Sequence, residues 1–312
     1  GVKYSKVLAK KLLAKRDSID VIHSHNTFHP LNYQIYLFSK KNQKKVAYHP
    51  HGALDPNLFK GYSFDSIKKK LYIFLFERRL LKAANVVFAL TDIEKQQLSS
   101  FGVEQNVYVI PNGVGDKKIV TKLGINKEYQ IPKDSFVFLY VGRIVSKKGL
   151  HDFIEAFYIV NQLKPNNYFI IAGNDKQDPN YTNVLLQLIE KFQLQDSVRF
   201  WGFVNEANKD KLFAVADVFI HASYSEGMAM SILEAMSYGK PCLVTTGCFM
   251  QDAADSDAVL QVEQSIEGLK NGMFSLINSK DITATLSDNS LRYVQKEHSW
   301  ESIAKKVIHL YK

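Results

Sequence analysis

Short apolar runs rich in β-branched and aromatic residues alternate with longer stretches of helical periodicity along the whole chain. The runs predict strands over residues 20–25, 45–51, 85–90, 106–110, 136–141, 168–172, 198–201, 218–222 and 242–245. Between them, residues 67–84, 150–162, 181–192 and 230–238 repeat apolar positions at helical spacing. The runs FVFLYVG and YFIIAG are apolar without alternation, the pattern of parallel strands covered on both faces. Strand–helix alternation of this kind predicts an α/β chain with doubly wound parallel sheets.

The pattern lapses between residues 112 and 135, where NGVGDKKIVTKLGINKEYQIPKDS carries Gly, Pro and charge without a sustained apolar period. That stretch reads as a linker between two domains. The tail HSWESIAKKVIHLYK reads as an amphipathic helix, with Ser299 as its cap and Trp300, Ile303, Val307 and Leu310 on or near one face.

Composition narrows the class. With 312 residues, 46% hydrophobic and 23% charged, the chain is neither disordered, collagenous nor a disulfide-stapled miniature. Cys242 and Cys248, six positions apart, point to a reducing compartment. The apolar stretch 71–76 is far short of the roughly 20 residues needed to span a bilayer, and the start GVKYSKVLAKK lacks the apolar centre of a signal peptide. A cytoplasmic location is therefore expected. The charge of +9 is uneven: residues 1–120 carry 20 Lys and Arg against 9 Asp and Glu, the remainder 20 against 22. A basic front half is either a solubilising surface or a face for something anionic, such as a membrane or a phosphorylated substrate.

Two segments carry chemistry. In SEGMAMSILEAMSYGKPCLVT (225–245) a strand runs into a small polar turn and then a helix, so free backbone N–H groups and the helix dipole face any anion placed there. Glu226 lies in the turn and Glu234 in the helix. Taken alone, their spacing equally fits a capped helix with two solvated glutamates. In FLYVGRIVSKKGLHDFIEAF (138–157), Arg143 and Lys148 leave the carboxyl end of a strand, where open α/β sheets bind ligands. Two cations there suit a diphosphate.

GRIVSKKG, Glu226-x7-Glu234, IPNGV (110–114) and SWESIAKK, together with HPHGALDP (49–56), resemble the retaining GT-B-fold glycosyltransferases of family 4, in their PHGxLDP variant. The resemblance spans nearly the whole chain. It implies two Rossmann-like domains facing a cleft: 1–118 on the acceptor side, 119–296 binding a nucleotide sugar, and 297–312 as a helix crossing back to the first domain. Arg143 and Lys148 would neutralise the nucleotide diphosphate, with Gly142 beside them. Gly227, Met228 and Ala229 would lie near the phosphates or the donor sugar. Glu226 would contact the transferred sugar, Glu234 the ribose hydroxyls, and His51 would approach the donor sugar. Gly173 and Asn174, with Arg199 and Phe203, would lie near the base.

The activity implied is transfer of a sugar from a nucleoside-diphosphate donor, by family habit a UDP-sugar, to a saccharide or lipid-linked acceptor in polysaccharide or glycolipid synthesis. The implied mechanism is front-face displacement with retention, in which the leaving phosphate takes the acceptor's proton. Two cations stand where other enzymes place a metal, so neither a metal nor a cofactor is expected. The paired carboxylates of glycoside hydrolases are a rival chemistry that leaves the cations unexplained.

Two departures from the family stand out. No strand and glycine-rich loop precede IDVIHSHN, so the first domain is expected to hold four strands with an exposed edge near residues 21–25. A truncated chain, a split enzyme completed by a partner protein, and a degenerate member each account for this, the first best. TTGCFMQDAA also replaces the usual Gly-Gly loop. A donor-binding subunit without catalysis and a nucleotide-sugar epimerase stand as alternative functions.

Other signals are weaker. His23, His25, His29, His49 and His51 include two HxH pairs, read as strand ends and a cleft wall with His51 functional, since zinc sites of this kind usually add Cys or a carboxylate. Asp255-Ser256-Asp257 reads as a loop rather than a metal–nucleotide motif. Residues 64–84 are basic and apolar on one side, fitting either a membrane-surface helix or a core-packed helix with a solvated basic face. Nucleic acid is disfavoured because no aromatic platform or recognition module accompanies the lysines.

Overall fold

The structure, a computed structural model, describes residues 5–54, 64–117, 131–132 and 134–311. Much of the expected linker, and Asp55 and Pro56 of the HPHGALDP segment, lie outside them. The chain divides into two compact units, one of residues 1–112 with 303–312 and one of residues 113–302.

The first unit opens with helix α1 (Lys6–Ala14) and is built on β1 (Val21–His25), β2 (Lys45–His49), β3 (Val86–Ala89) and β4 (Val107–Val109). These form one parallel sheet in the order β1-β2-β3-β4, so β1 stands at an edge among the described strands. Helix α2 (Pro30–Asn42) links β1 to β2 and starts with Pro30 at its first position, where no N–H is missed. Helix α5 (Asp92–Ser99) links β3 to β4, and its Glu94 N–H donates to the Thr91 hydroxyl at 3.1 Å. From the closing helix α13 (Trp300–Tyr311), Ile303, Val307, Leu310 and Tyr311 pack on Ala47, Val86 and Phe88. The Ser302 N–H donates to the Ser299 hydroxyl at 3.2 Å, the expected cap.

Periodicity predicts one helix over 67–84. The structure has α3 (Phe64–Tyr72), a wider π-turn (Ile73–Glu77) and α4 (Arg78–Ala83). These three pieces run on without a break, and Glu77, the last residue of the π-turn, is only 1% exposed. A buried carboxylate needs donors, and Glu77 Oε1 accepts from the Asn32 amide at 3.1 Å and from the Tyr48 hydroxyl.

The second unit holds β5 (Phe136–Val141), β6 (Asn167–Ala172), β7 (Val198–Gly202), β8 (Val218–His221), β9 (Cys242–Thr245) and β10 (Leu260–Val262). All pair in parallel, in the order β7-β6-β5-β8-β9-β10. The chain enters at β5, builds outward to β7, then returns to lay β8 on the other side of β5. Along β5, Val137, Leu139 and Val141 enter one core and Phe138 and Tyr140 the other, which explains the unbroken apolar run. Helices α6 (Leu150–Leu163), α7 (Pro179–Lys191), α8 (Glu206–Val215), α9 (Met230–Ser237), α10 (Gln251–Asp255), α11 (Ile266–Asn278) and α12 (Lys280–Glu297) complete the unit.

Three-residue β10 is absent from the sequence-based expectation because VLQVEQ mixes polar and apolar positions. Asp255 ends a helix rather than lying in a loop, and Asp257 follows at φ 49°. Cys242 and Cys248 are free and buried. Among the described residues no helix is long and apolar enough to cross a membrane.

Candidate functional site

The return from β7 to β8 makes the carboxyl ends of β5 and β8 a topological switch point, the place where open α/β sheets bind ligands. Arg143 and Lys148 follow β5, and Glu226 follows β8.

Lys148 ends a short 3-10 turn (Ser146–Lys148), and Gly149 behind it adopts φ +63°. A Cβ on Gly149 would lie 2.1 Å from the Ala222 carbonyl oxygen, so only glycine lets this loop press against the end of β8. The Tyr224 N–H donates to the Lys147 carbonyl at 3.0 Å, a second tie between the two loops. Lys148 is thereby buried, and its ammonium lies 2.5 Å from Glu226 Oε1.

Glu226 Oε1 also accepts from His221 Nε2 at 3.2 Å and from the Ser223 hydroxyl. Burial alone would raise the Glu226 pKa. The His221 hydrogen bond and the Lys148 charge outweigh it and hold the carboxyl well below its ordinary range. His221 is itself fully enclosed, and burial lowers its pKa, so a neutral imidazole donates Nε2–H to the carboxylate. Tyr140, beneath the loop, donates to the Arg143 carbonyl at 2.7 Å. Its hydroxyl pKa is raised by burial and by Glu226 and lowered by Arg143, so both charges act on one point. The Arg143 side chain is exposed and makes no ion pair among the described residues.

Ala229 precedes helix α9 without a side-chain cap; the Ile232 N–H turns back to the Ala229 carbonyl at 3.0 Å, and the N–H groups of Met230 and Ser231 are open to an incoming acceptor. Gly227 before it is exposed, while Met228 packs on the core. Glu234, within α9, belongs to a separate cluster. Its Oε1 lies 2.6 Å from Lys209 Nζ and 3.7 Å from Lys117 Nζ, and both lysines also reach Glu206, at 2.7 and 3.1 Å.

Gly142 and Gly173 bring the ends of β5 and β6 together: a Cβ on Gly173 would lie 2.0 Å from the Gly142 carbonyl oxygen. Asn174 is exposed, and its side chain accepts the Lys176 N–H at 3.0 Å. Arg199 lies on β7, two strands from β5, with its guanidinium 4.6 Å above the Trp201 ring. Phe203, past the end of β7, is 82% exposed.

In the first unit, His51 follows β2 at φ 57°, its ring stacked 3.8 Å from that of His49. His25 Nδ1 lies 2.9 Å from His51 Nε2. The following turn is anchored by Glu94, which accepts the Gly52 N–H at 2.6 Å and the Leu90 N–H at 2.7 Å.

His221, Ser223, Lys209 and Lys117 escape sequence reasoning. His221 is one polar residue in the apolar run VFIHAS, a faint signal. Lys209 and Lys117 are remote in sequence from Glu234 and carry no spacing signal at all.

A parallel sheet with its charged loops at a switch point, paired with a second parallel α/β unit, is the architecture of GT-B glycosyltransferases. The Anabaena protein HepE, solved with UDP and glucose, shares it at a TM-score of 0.79, with 20% identity over 97% of this chain and 80% of that one. WaaG, described as a glycosyltransferase involved in lipopolysaccharide biosynthesis, does so at 0.70, with 20% identity over 94% and 86%.

The model of the family "Glycosyl transferases group 1" matches residues 122–293, and that of "Glycosyltransferase Family 4" matches residues 3–118. The chain belongs to the glycosyl transferases group 1 family. Among curated relatives, the alpha-monoglucosyldiacylglycerol synthase of Acholeplasma laidlawii is 27% identical over 193 residues, 58% of this chain and 46% of that protein. The mannosylfructose-phosphate synthase of Agrobacterium fabrum is 24% identical over 242 residues, 74% of this chain and 53% of that protein. The chain thus spans about half the length of these relatives.

Proposed function

We propose that this chain transfers a sugar, with retention, from a nucleoside-diphosphate donor of the uridine class to a saccharide or lipid-linked acceptor. The observation that carries this reading is the buried Lys148–Glu226 pair at the switch point of the second unit. Departure of the diphosphate builds negative charge at the phosphates and positive charge on the sugar ring. The Lys148 ammonium has three protons, so it can hold Glu226 and still donate to a phosphate oxygen. Arg143 and the uncapped start of α9 supply further donors to the leaving group, and no metal is needed there.

Glu226 holds and orients a hydroxyl of the transferred sugar rather than attacking it. Glu234 takes the ribose hydroxyls, His51 approaches the donor sugar, and the leaving phosphate accepts the acceptor's proton. Gly142 and Gly173 let the ends of β5 and β6 press together beside the phosphates. Asn174, Arg199 and Phe203 serve the base.

Two relatives agree in kind with this reading: HepE is described with UDP and UDP-glucose, and the Acholeplasma protein as a glucolipid synthase. A lipid-linked acceptor is favoured by Ile67, Leu71 and Phe74, which are 50%, 56% and 64% exposed beside Lys68, Lys69 and Lys70. An exposed apolar stripe flanked by lysines suits an anionic membrane surface. The segment packs Ile73, Leu80 and Leu81 into the core of the first unit, so the stripe offered to a membrane is its opposite, solvent-facing side.

Thermal unfolding measured with UDP, GDP and ADP tests the donor site. UDP should raise the midpoint in the native chain and fail to do so in Lys148→Ala and Arg143→Ala. If no nucleoside diphosphate shifts the native protein, the donor-site reading fails.

A further inference from the structure

Parallel pairing sets His25 of β1 opposite His49 of β2, and His23 lies two residues before His25, so three imidazoles share one face of the sheet. Their rings are 4.1 Å apart for His23–His25, 5.8 Å for His25–His49 and 6.2 Å for His23–His49. One ring nitrogen from each lies within 4.8 Å of the other two. We propose that His23, His25 and His49 form a binding site for one divalent transition-metal ion of the zinc class.

Unmet hydrogen-bonding capacity supports this assignment. His49 is 6% exposed, and its Nε2 is buried without a partner. His23 Nε2 is buried and unpartnered too. A buried polar atom without a partner costs free energy that an ion would recover.

The outer contacts suit metal ligation. His23 Nδ1 lies 2.5 Å from the Tyr311 hydroxyl and His25 Nδ1 2.9 Å from His51 Nε2. With Nδ1–H donating in both rings, each Nε2 keeps its lone pair, the arrangement usual for ligating histidines. Phe88 packs against both, 5.1 Å from His23 and 5.6 Å from His49, giving the site an apolar wall.

The donor set selects the ion. Three imidazoles suit zinc, cobalt, nickel or copper, and without a carboxylate they do not suit calcium or magnesium. A tetrahedral ion needs nitrogen atoms about 3.3 Å apart, so the rings must close in. His25, the exposed member of the three, is the ring that must turn. Turning it loosens its hydrogen bond to His51. Any effect of that movement on sugar transfer, unlike the site itself, rests on the role proposed for His51.

The test uses the full chain without donor or acceptor, with cobalt(II) and zinc(II) as probes. Cobalt should bind one per chain with the visible absorption of a four-coordinate site, and zinc should displace it. His25→Ala, at an exposed position that folding tolerates, should weaken binding at least tenfold. His23→Asn and His49→Asn should do the same, His309→Ala should change nothing, and magnesium should not compete. No saturable binding, or binding unaltered in both His25→Ala and His49→Asn, overturns the proposal. Because no nucleotide is present, neither result bears on the donor site.

Discussion

Lys148 and Glu226 form a buried ion pair whose contacts fall on one carboxylate oxygen. Lys148 Nζ, His221 Nε2 and the Ser223 hydroxyl all reach Oε1, while Oε2 accepts nothing among the described residues. One oxygen anchors the side chain and the other is available to a substrate hydroxyl. Lys148→Ala should therefore do more than remove a phosphate contact. It leaves a buried carboxylate without its counter-charge, at a cost of about 3–5 kcal/mol. Replacing both partners, as in Lys148→Met with Glu226→Gln, should recover most of that stability while transfer stays lost. Urea unfolding of Lys148→Met, Glu226→Gln and the double variant measures the coupling. Additive losses would show that the pair is not energetically joined.

The same cluster sets a direction for pH dependence. The Glu226 pKa is held low in the folded chain, so the pair's stabilisation is complete above the unfolded value of about 4.3 and is lost as pH falls through the folded value. His221 is also held low, by burial. Below about pH 6.5 the unfolded chain takes up a proton that folded His221 refuses, so stability declines from there downward. His221→Gln keeps a polar group and should flatten the decline between about pH 6.5 and 5 relative to the native chain. Urea midpoints across that range read it directly. Parallel profiles would mean that His221 contributes nothing to the slope.

The sequence makes the second unit legible because its strands are covered on both faces and its loops carry charge at strand ends. Phe136–Val141 and Cys242–Thr245 are predicted to the residue. Arg143, Lys148 and Glu226 can be chosen because the sheet places the ends of β5 and β8 side by side. Legibility fails where the interaction is remote in sequence. Lys209 and Lys117 meet Glu234 only through tertiary packing, and no local pattern announces them. It is also blind to a local change of winding, such as the π-turn Ile73–Glu77 inside the otherwise continuous helical run 64–83. The histidines show a third limit: two HxH pairs are weak on paper, and strand register is what brings them onto one face.

Glu234 offers a contrast with Glu226. It is already compensated by Lys209 and Lys117, and the Lys209 and Glu234 side chains are 14% and 16% exposed. Lys209 is buried enough to lose affinity for its proton, yet its bonds to Glu206 and Glu234 raise its pKa overall. If Glu234 holds the ribose hydroxyls, Glu234→Gln weakens charge-assisted hydrogen bonds worth about 1.5–3 kcal/mol. The donor KM should rise about tenfold or more, with kcat little changed. Steady-state kinetics with a nucleotide sugar separates the two terms, and a fall confined to kcat would move Glu234 out of the ribose role.

Gly149 tests whether the loop itself, rather than its charges, builds the site. Its φ of +63° favours glycine, and a Cβ there would meet the Ala222 carbonyl oxygen at 2.1 Å, a backbone atom that cannot swing aside. In Gly149→Ala either the turn must change conformation or β8 must give way. The first withdraws Lys148 from Glu226, and the second disturbs a strand at the centre of the sheet. Strain of this kind costs about 1–3 kcal/mol. The variant should melt earlier than the native chain and, with all four charged side chains present, should lose most of its stabilisation by UDP. A lowered midpoint with an undiminished UDP shift would show that the ammonium is held in place without help from this close approach.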